Sequence, residues 1–237
     1  MKLGSVAIEL REYEEAQQNY QQALSIYIEF RDRHSQAYPY QQLGNIAREL
    51  REYGEARQNY QQALAIKIEF GDRYSQATTY HQLGGVAQDL REYEEARQNL
   101  QQALAIYIEL GDRYSQAKTY HNLGMIAQEL REYGEAQQNY QQALAIKIEF
   151  GDRYSQVRTY SQLGLLAEEL GDLEEAKSNH LQDLQISKEF QDENRLAFVF
   201  QNLSRIYQVT QDQSLLEAIA KILGVTVEDI LQTLESN

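Results

Sequence analysis

The chain has 237 residues, 42% of them hydrophobic and 24% charged, with one proline, no cysteine and a net charge of −14. Without thiols it forms no disulfide, no thiolate metal site and no cysteine nucleophile. The negative field repels both a phosphate backbone and an anionic membrane surface, so neither nucleic acid nor membrane is expected as a partner. No apolar run approaches the ~20 residues that cross a bilayer and no signal peptide opens the chain, so a cytoplasmic location is expected.

Self-similarity organises everything else. Leu3-Gly4, Leu43-Gly44, Leu83-Gly84, Leu123-Gly124 and Leu163-Gly164 recur every forty residues, and Leu203-Ser204 closes the series. Residues Arg51 to Gln76 read REYGEARQNYQQALAIKIEFGDRYSQ, and Arg131 to Gln156 repeat them with one change, Arg57 becoming Gln137. Two columns alternate with a double period, Glu14/Gly54/Glu94/Gly134 and Tyr27/Lys67/Tyr107/Lys147, which points to block duplication of an eighty-residue pair.

In chain order, the first repeat opens at Leu3-Gly4 without the first turns of its first helix. Either the chain is a piece of a longer protein or the array starts abruptly, leaving an uncapped end able to self-associate. The third repeat shows the full pattern. Tyr80, Leu83, Val86, Ala87 and Leu90 form one amphipathic stripe. The link Arg91-Glu92-Tyr93 follows, then a second stripe of Ala96, Leu100, Ala103, Leu104, Tyr107 and Ile108. Gly111 is placed to close that helix in a left-handed conformation, and Asp112 to cap the next. Neither helix buries its stripe alone, so stacked hairpins are expected. In the fifth repeat His180 replaces the Tyr60/Leu100/Tyr140 residue and Asp183 the Ala63/Ala103/Ala143 residue. A buried unpaired carboxylate is costly, which predicts a shifted helix or a His–Asp pair, with a ligand contact as the alternative. After about residue 209 the pattern decays into QSLLEAIAKILG, ending at Gly224. A short helix then starts at Thr226 with Glu228 and Asp229, and Leu231 and Leu234 are expected to fold back on the preceding helices. The chain is expected to end at its natural terminus.

Tyr80-x2-Leu83-Gly84-x2-Ala87, Ala96-x3-Leu100 and Ala103 carry a resemblance to the tetratricopeptide repeat. Two features depart from that pattern: Ile108 stands where the family usually has proline, and the period is forty rather than 34. The longer form resembles the repeats of Pins-type adaptors and of bacterial multidomain signalling proteins. The resemblance implies an all-α, right-handed superhelical solenoid of about five to six antiparallel hairpins over residues 1–209, the first truncated, with capping helices over 210–237. Gly84 and Ala96 should lie where the two helices of a hairpin cross.

Chemistry is sparse. No phosphate-binding glycine loop occurs. His81 and His121 occupy equivalent places one repeat apart; a metal site or acid/base pair is weighed against solvated face residues, and no metal or cofactor is expected. The carboxylates Glu49, Asp89, Glu129 and Glu169 recur four times, which suits a structural or electrostatic stripe better than an active site. The chain is therefore not expected to be an enzyme.

Differences between near-identical repeats concentrate on the first helices. The columns are Tyr38/Thr78/Lys118/Arg158, Gln41/His81/His121/Ser161, Asn45/Gly85/Met125/Leu165 and Arg48/Gln88/Gln128/Glu168. Their 3, 4, 3 spacing places them on one helix face, other than the Leu-Gly packing face. The resemblance implies that this face lines a concave groove, with Tyr38, Gln41, Asn45, Arg48, His81, Gln88, Lys118, His121, Met125, Gln128 and Arg158 as ligand-binding candidates. Drift on a solvated face is the competing explanation. The mixed polar, basic and apolar lining suits a protein or peptide partner; the basic and Asn pattern that captures a terminal carboxylate is only partly present. A protein-binding scaffold, as the interaction or sensor arm of a larger signalling protein, is the expected function. An architectural or self-associating spacer is the alternative, and occupation of the groove by the chain's own C-terminal segment stays open.

Overall fold

A computed structural model describes residues 2–235, with side chains from 12 to 234. Among the described residues the chain is all-α, with twelve helices and no strand. They are α1 (Lys2–Glu29), α2 (Ala37–Glu49), α3 (Tyr53–Glu69), α4 (Arg73–Asp89), α5 (Tyr93–Glu109), α6 (Arg113–Glu129), α7 (Tyr133–Glu149), α8 (Arg153–Leu170), α9 (Leu173–Glu189), α10 (Glu193–Thr210), α11 (Gln213–Leu223) and α12 (Val227–Glu235). The backbone falls into two compact halves, 1–119 and 120–237, divided inside α6.

Each hairpin is closed by two kinds of turn. Second helices end at Gly71, Gly111 and Gly151 with φ between 65° and 69°, and the following aspartate caps the next helix. Asp72 and Asp112 accept the backbone N–H of Ser75 and Ser115 at 3.1 and 3.0 Å. First helices instead end at Arg51, Arg91 and Arg131, with φ of 60–61°. A left-handed arginine costs ~1 kcal/mol relative to glycine, so packing of the hairpin must hold it there.

Helices α1 and α2 differ from their counterparts in the other repeats. The tripeptide Arg11-Glu12-Tyr13 is identical to Arg51-Glu52-Tyr53, yet α1 runs through it without a break. The tripeptide alone therefore does not encode the turn. The N-terminal Leu3-Gly4 pair lies among residues whose side chains are outside those described, as does the uncapped end expected there. In repeat 2 the first helix starts at Ala37, four residues later than its counterparts. Pro39 has no N–H to give to the residue 35 carbonyl and its ring crowds that carbonyl, so the earlier turn cannot join the helix.

The core lies between the helices of each hairpin and its neighbour. In the N-terminal half, Ala47, Ala56, Tyr60, Leu83 and Val86 form one buried cluster. In the C-terminal half, Ala127, Ala136, Tyr140, Leu163 and Leu166 form the equivalent one. The repeat glycines set the approach distance. A Cβ on Gly84 would meet Leu100 Cγ at 2.8 Å and the Ala96 carbonyl at 3.3 Å, as the expected crossing requires. At the C-terminal end, α11 closes at Gly224 (φ 76°). Thr226 and Asp229 cap α12 reciprocally, with N–H to side-chain distances of 2.9 and 3.2 Å. Leu231 and Leu234 fold back onto the cluster built on Leu203, Leu215 and Leu216.

Candidate functional site

The candidate residues fall on first helices in both halves, but in unequal surroundings. In the N-terminal half, Gln41 Nε2 donates to Gln82 Oε1 at 3.0 Å, and Gln82 Nε2 donates to Asn45 Oδ1 at 2.8 Å. The same Asn45 oxygen accepts the hydroxyl of buried Tyr60 at 2.8 Å. Arg48 reaches Asp89 in the next repeat at 2.8 Å, and Gly85 leaves space for its guanidinium. These polar side chains form a seam between repeats. Gln88 is half-buried, while Tyr38 and Lys118 are exposed; Lys118 Nζ sits 4.4 Å above the Tyr114 ring.

His81 is half-buried, with Nδ1 3.3 Å from Thr119 Oγ1. That hydroxyl already donates to the Ser115 carbonyl at 2.8 Å, so the imidazole must carry the proton on Nδ1 and donate. Burial first, then the charges of Lys118 and Arg48, pushes its pKa down to about 4.

In the C-terminal half His121 is 4% exposed, so it belongs to the interior rather than to an open face. Its Nδ1 lies 3.2 Å from Thr159 Oγ1, which accepts Lys147 Nζ at 2.7 Å. Its Nε2 is buried and has no hydrogen-bond partner among the described residues. Burial, followed by the charges of Lys147 and Arg158, lowers its pKa to about 3. Met125 and Gln128 line a cleft of about 420 Å³ with Glu129, Arg131, Tyr140, Gln162 and Glu169. Arg158 is exposed.

Two sequence readings change here, and a third, that of the carboxylates as a structural stripe, does not. The variable face is not separate from packing: His121, Ser161 and Gly85 are buried, because a first helix also contacts the next repeat. The carboxylate ladder joins repeats, Asp89 through Arg48, and Glu169 through Gln128 at 3.2 Å and Tyr133 at 2.6 Å. Neither a shifted helix nor a His–Asp pair accommodates the fifth-repeat exceptions. His180 Nε2 pairs with Glu168 at 2.8 Å, and Glu168 also pairs with Arg205. Fully buried Asp183 is held by Arg195 Nε at 3.1 Å and accepts Ser187 Oγ at 3.0 Å. Pairing across helices wins because Glu168 and Arg195 reach these positions without distorting α9. Among the described residues no group of three or more metal-ligating side chains converges.

Sequence reasoning missed Lys67 and Lys147, which are 6% and 8% exposed and donate to Thr79 and Thr159 at 2.7 Å. Their alternation with Tyr27 and Tyr107 within an apolar stripe was the available signal.

The tetratricopeptide repeat family profile matches residues 1–69 and 75–149, and a second tetratricopeptide profile matches 157–179. The chain belongs to the tetratricopeptide repeat family. No curated protein matches its sequence. Among solved structures, the apo form of RapI aligns with TM-score 0.76 at 18% identity over 98% of this chain and 81% of RapI. BtubC from P. vanneervenii aligns with TM-score 0.73 at 20% identity over 96% of this chain and 92% of BtubC. YrrB, described as a TPR protein with an unusual peptide-binding site, aligns with TM-score 0.57 at 21% identity over 84% and 92% of the two chains. At these identities the likeness shows a shared tetratricopeptide fold. Among the described residues no helix of this array is long and apolar enough to cross a membrane.

Proposed function

We propose that this tetratricopeptide array is a protein- or peptide-binding scaffold that uses the exposed part of its first-helix faces, Tyr38 and Lys118 in one half and Arg158 with the Met125–Gln128 cleft in the other. The observation that carries this reading is the contrast within the face. Gln41, Asn45 and Arg48 are consumed in bonds between repeats, whereas Tyr38, Lys118 and Arg158 stand in solvent. Structural need explains the first group and not the second, and the exposed aromatic and cationic side chains that each half offers suit a partner having apolar or acidic groups. The peptide-binding description of YrrB is in keeping with it. Placement as the interaction arm of a larger cytoplasmic signalling protein rests on the sequence resemblance, and no catalytic role is proposed.

The test is partner capture from native extract by the parent chain and by a Y38A/K118A/R158A variant. His121 is left intact because its burial would confound loss of binding with loss of fold. A partner lost with the triple variant supports the reading; one retained at parental level overturns it.

A second reading, an architectural array, draws on exposed apolar groups where a second helix ends and the next first helix begins. Ile68, Phe70 and Tyr74, and again Ile148, Phe150 and Tyr154, are 47–56% exposed. Sedimentation across a concentration series separates the two, since only the architectural reading requires association without a partner.

A further inference from the structure

A cavity of about 390 Å³ opens in the N-terminal half between α1, α2 and α3. Tyr27, His34, Tyr38 and Phe70 supply aromatic lining, and His34 meets Phe70 edge-on at 4.9 Å between centroids. Lys67 and its partner Gln41 also line this space. Such a lysine is unusual, because burying a charge is costly unless it is compensated. Its ammonium has three N–H groups, and two protein acceptors serve it, Gln41 Oε1 and Thr79 Oγ1. The nearby Asp72 carboxylate is engaged as the cap of α4. Tyr27 and Tyr107 hold the same repeat position, so the fold does not require lysine there.

We propose that this cavity is a binding pocket for an apolar or aromatic group bearing a carboxylate, with the Lys67 ammonium as the anion contact. The proposal deepens the peptide-binding reading and rests on it. Aromatic walls take the stem, and a buried ammonium rewards an anion more than a neutral group, since the low local dielectric strengthens the pair. A peptide offers that chemistry from an acidic side chain or from its terminal carboxylate. Burial lowers the Lys67 pKa to about 8, so the amine is mainly charged at neutral pH, and an entering carboxylate raises that value again.

The experiment titrates the full chain with three probes: N-acetylphenylalanine, N-acetylphenylalaninamide and N-acetyl-glutamyl-phenylalaninamide. Binding is followed by amide chemical shifts in the parent, K67Y and K147Y. K67Y installs the tyrosine that neighbouring repeats carry, so the fold is kept, and K147Y makes the same change of charge outside the pocket. The expected result is saturable binding of a carboxylate probe to the parent and K147Y, at least tenfold weaker for the uncharged amide and for K67Y. The tighter of the two carboxylates identifies the source as terminal or side chain. Equal binding of the amide, equal binding to K67Y, equal loss in K147Y, or no binding of any probe overturns the pocket. Its failure is separable from that of the scaffold reading. If the probes fail while Y38A/K118A/R158A still loses its partner, only the pocket falls. If the probes bind while the triple variant keeps its partner, only the scaffold face falls.

Discussion

His121 shows how a side chain on the candidate face can serve the fold. An unfolded histidine titrates near 6.5, while the folded one titrates at about 3. Between those values the unfolded chain binds a proton that the folded chain refuses, so stability falls as pH drops below 6.5. The same column holds Ser161 and Gln41, so H121S is compatible with the repeat. Between pH 7 and pH 4 the parent should lose about 2–3 kcal/mol more than H121S, measured by urea unfolding at each pH; equal losses contradict the buried neutral imidazole. Asp183 offers a second test. Arg195 is its cationic partner, and the other repeats carry alanine and serine at these two positions, as at Ala143 and Ser155. R195S should cost about 3–5 kcal/mol by stranding the buried carboxylate, and D183A/R195S should recover most of it in thermal unfolding.

At the scale of the helix pair, glycine positions that look alike in sequence separate physically. The Cβ of Gly84 would lie within contact distance of Leu100 and the Ala96 carbonyl, whereas nothing lies within 4 Å of a Cβ on Gly54. G84L should therefore cost about 3 kcal/mol by overpacking the crossing. G54A should stabilise by about 0.5–1 kcal/mol through helix propensity. A G84L variant that unfolds at the parental temperature contradicts the packing register. The helices, their glycine turns and their aspartate caps were legible because a forty-residue text repeats with its apolar stripes intact. Arg11-Glu12-Tyr13 was not, since the same three residues make a turn elsewhere and the tripeptide alone does not encode it. The late start of α2 depends on one ring, that of Pro39.

For the whole molecule, the division after residue 119 falls inside α6 and leaves part of the candidate face in each half. Column variation singled out one face of the first helices but did not distinguish exposed Lys118 and Arg158 from buried His121, because near-identical repeats hide which variable side chains meet the next repeat. Lys67 was legible as part of an alternating repeat column but not as a buried ammonium, because a long lysine stem can carry its charge out of an apolar stripe into water. The central claim is that first helices meet the partner while second helices support them. Amide hydrogen exchange with and without the captured partner tests it most directly. Slower exchange is expected in α2, α4, α6 and α8; slowing confined to α3, α5, α7 and α9 would contradict contact through the first helices.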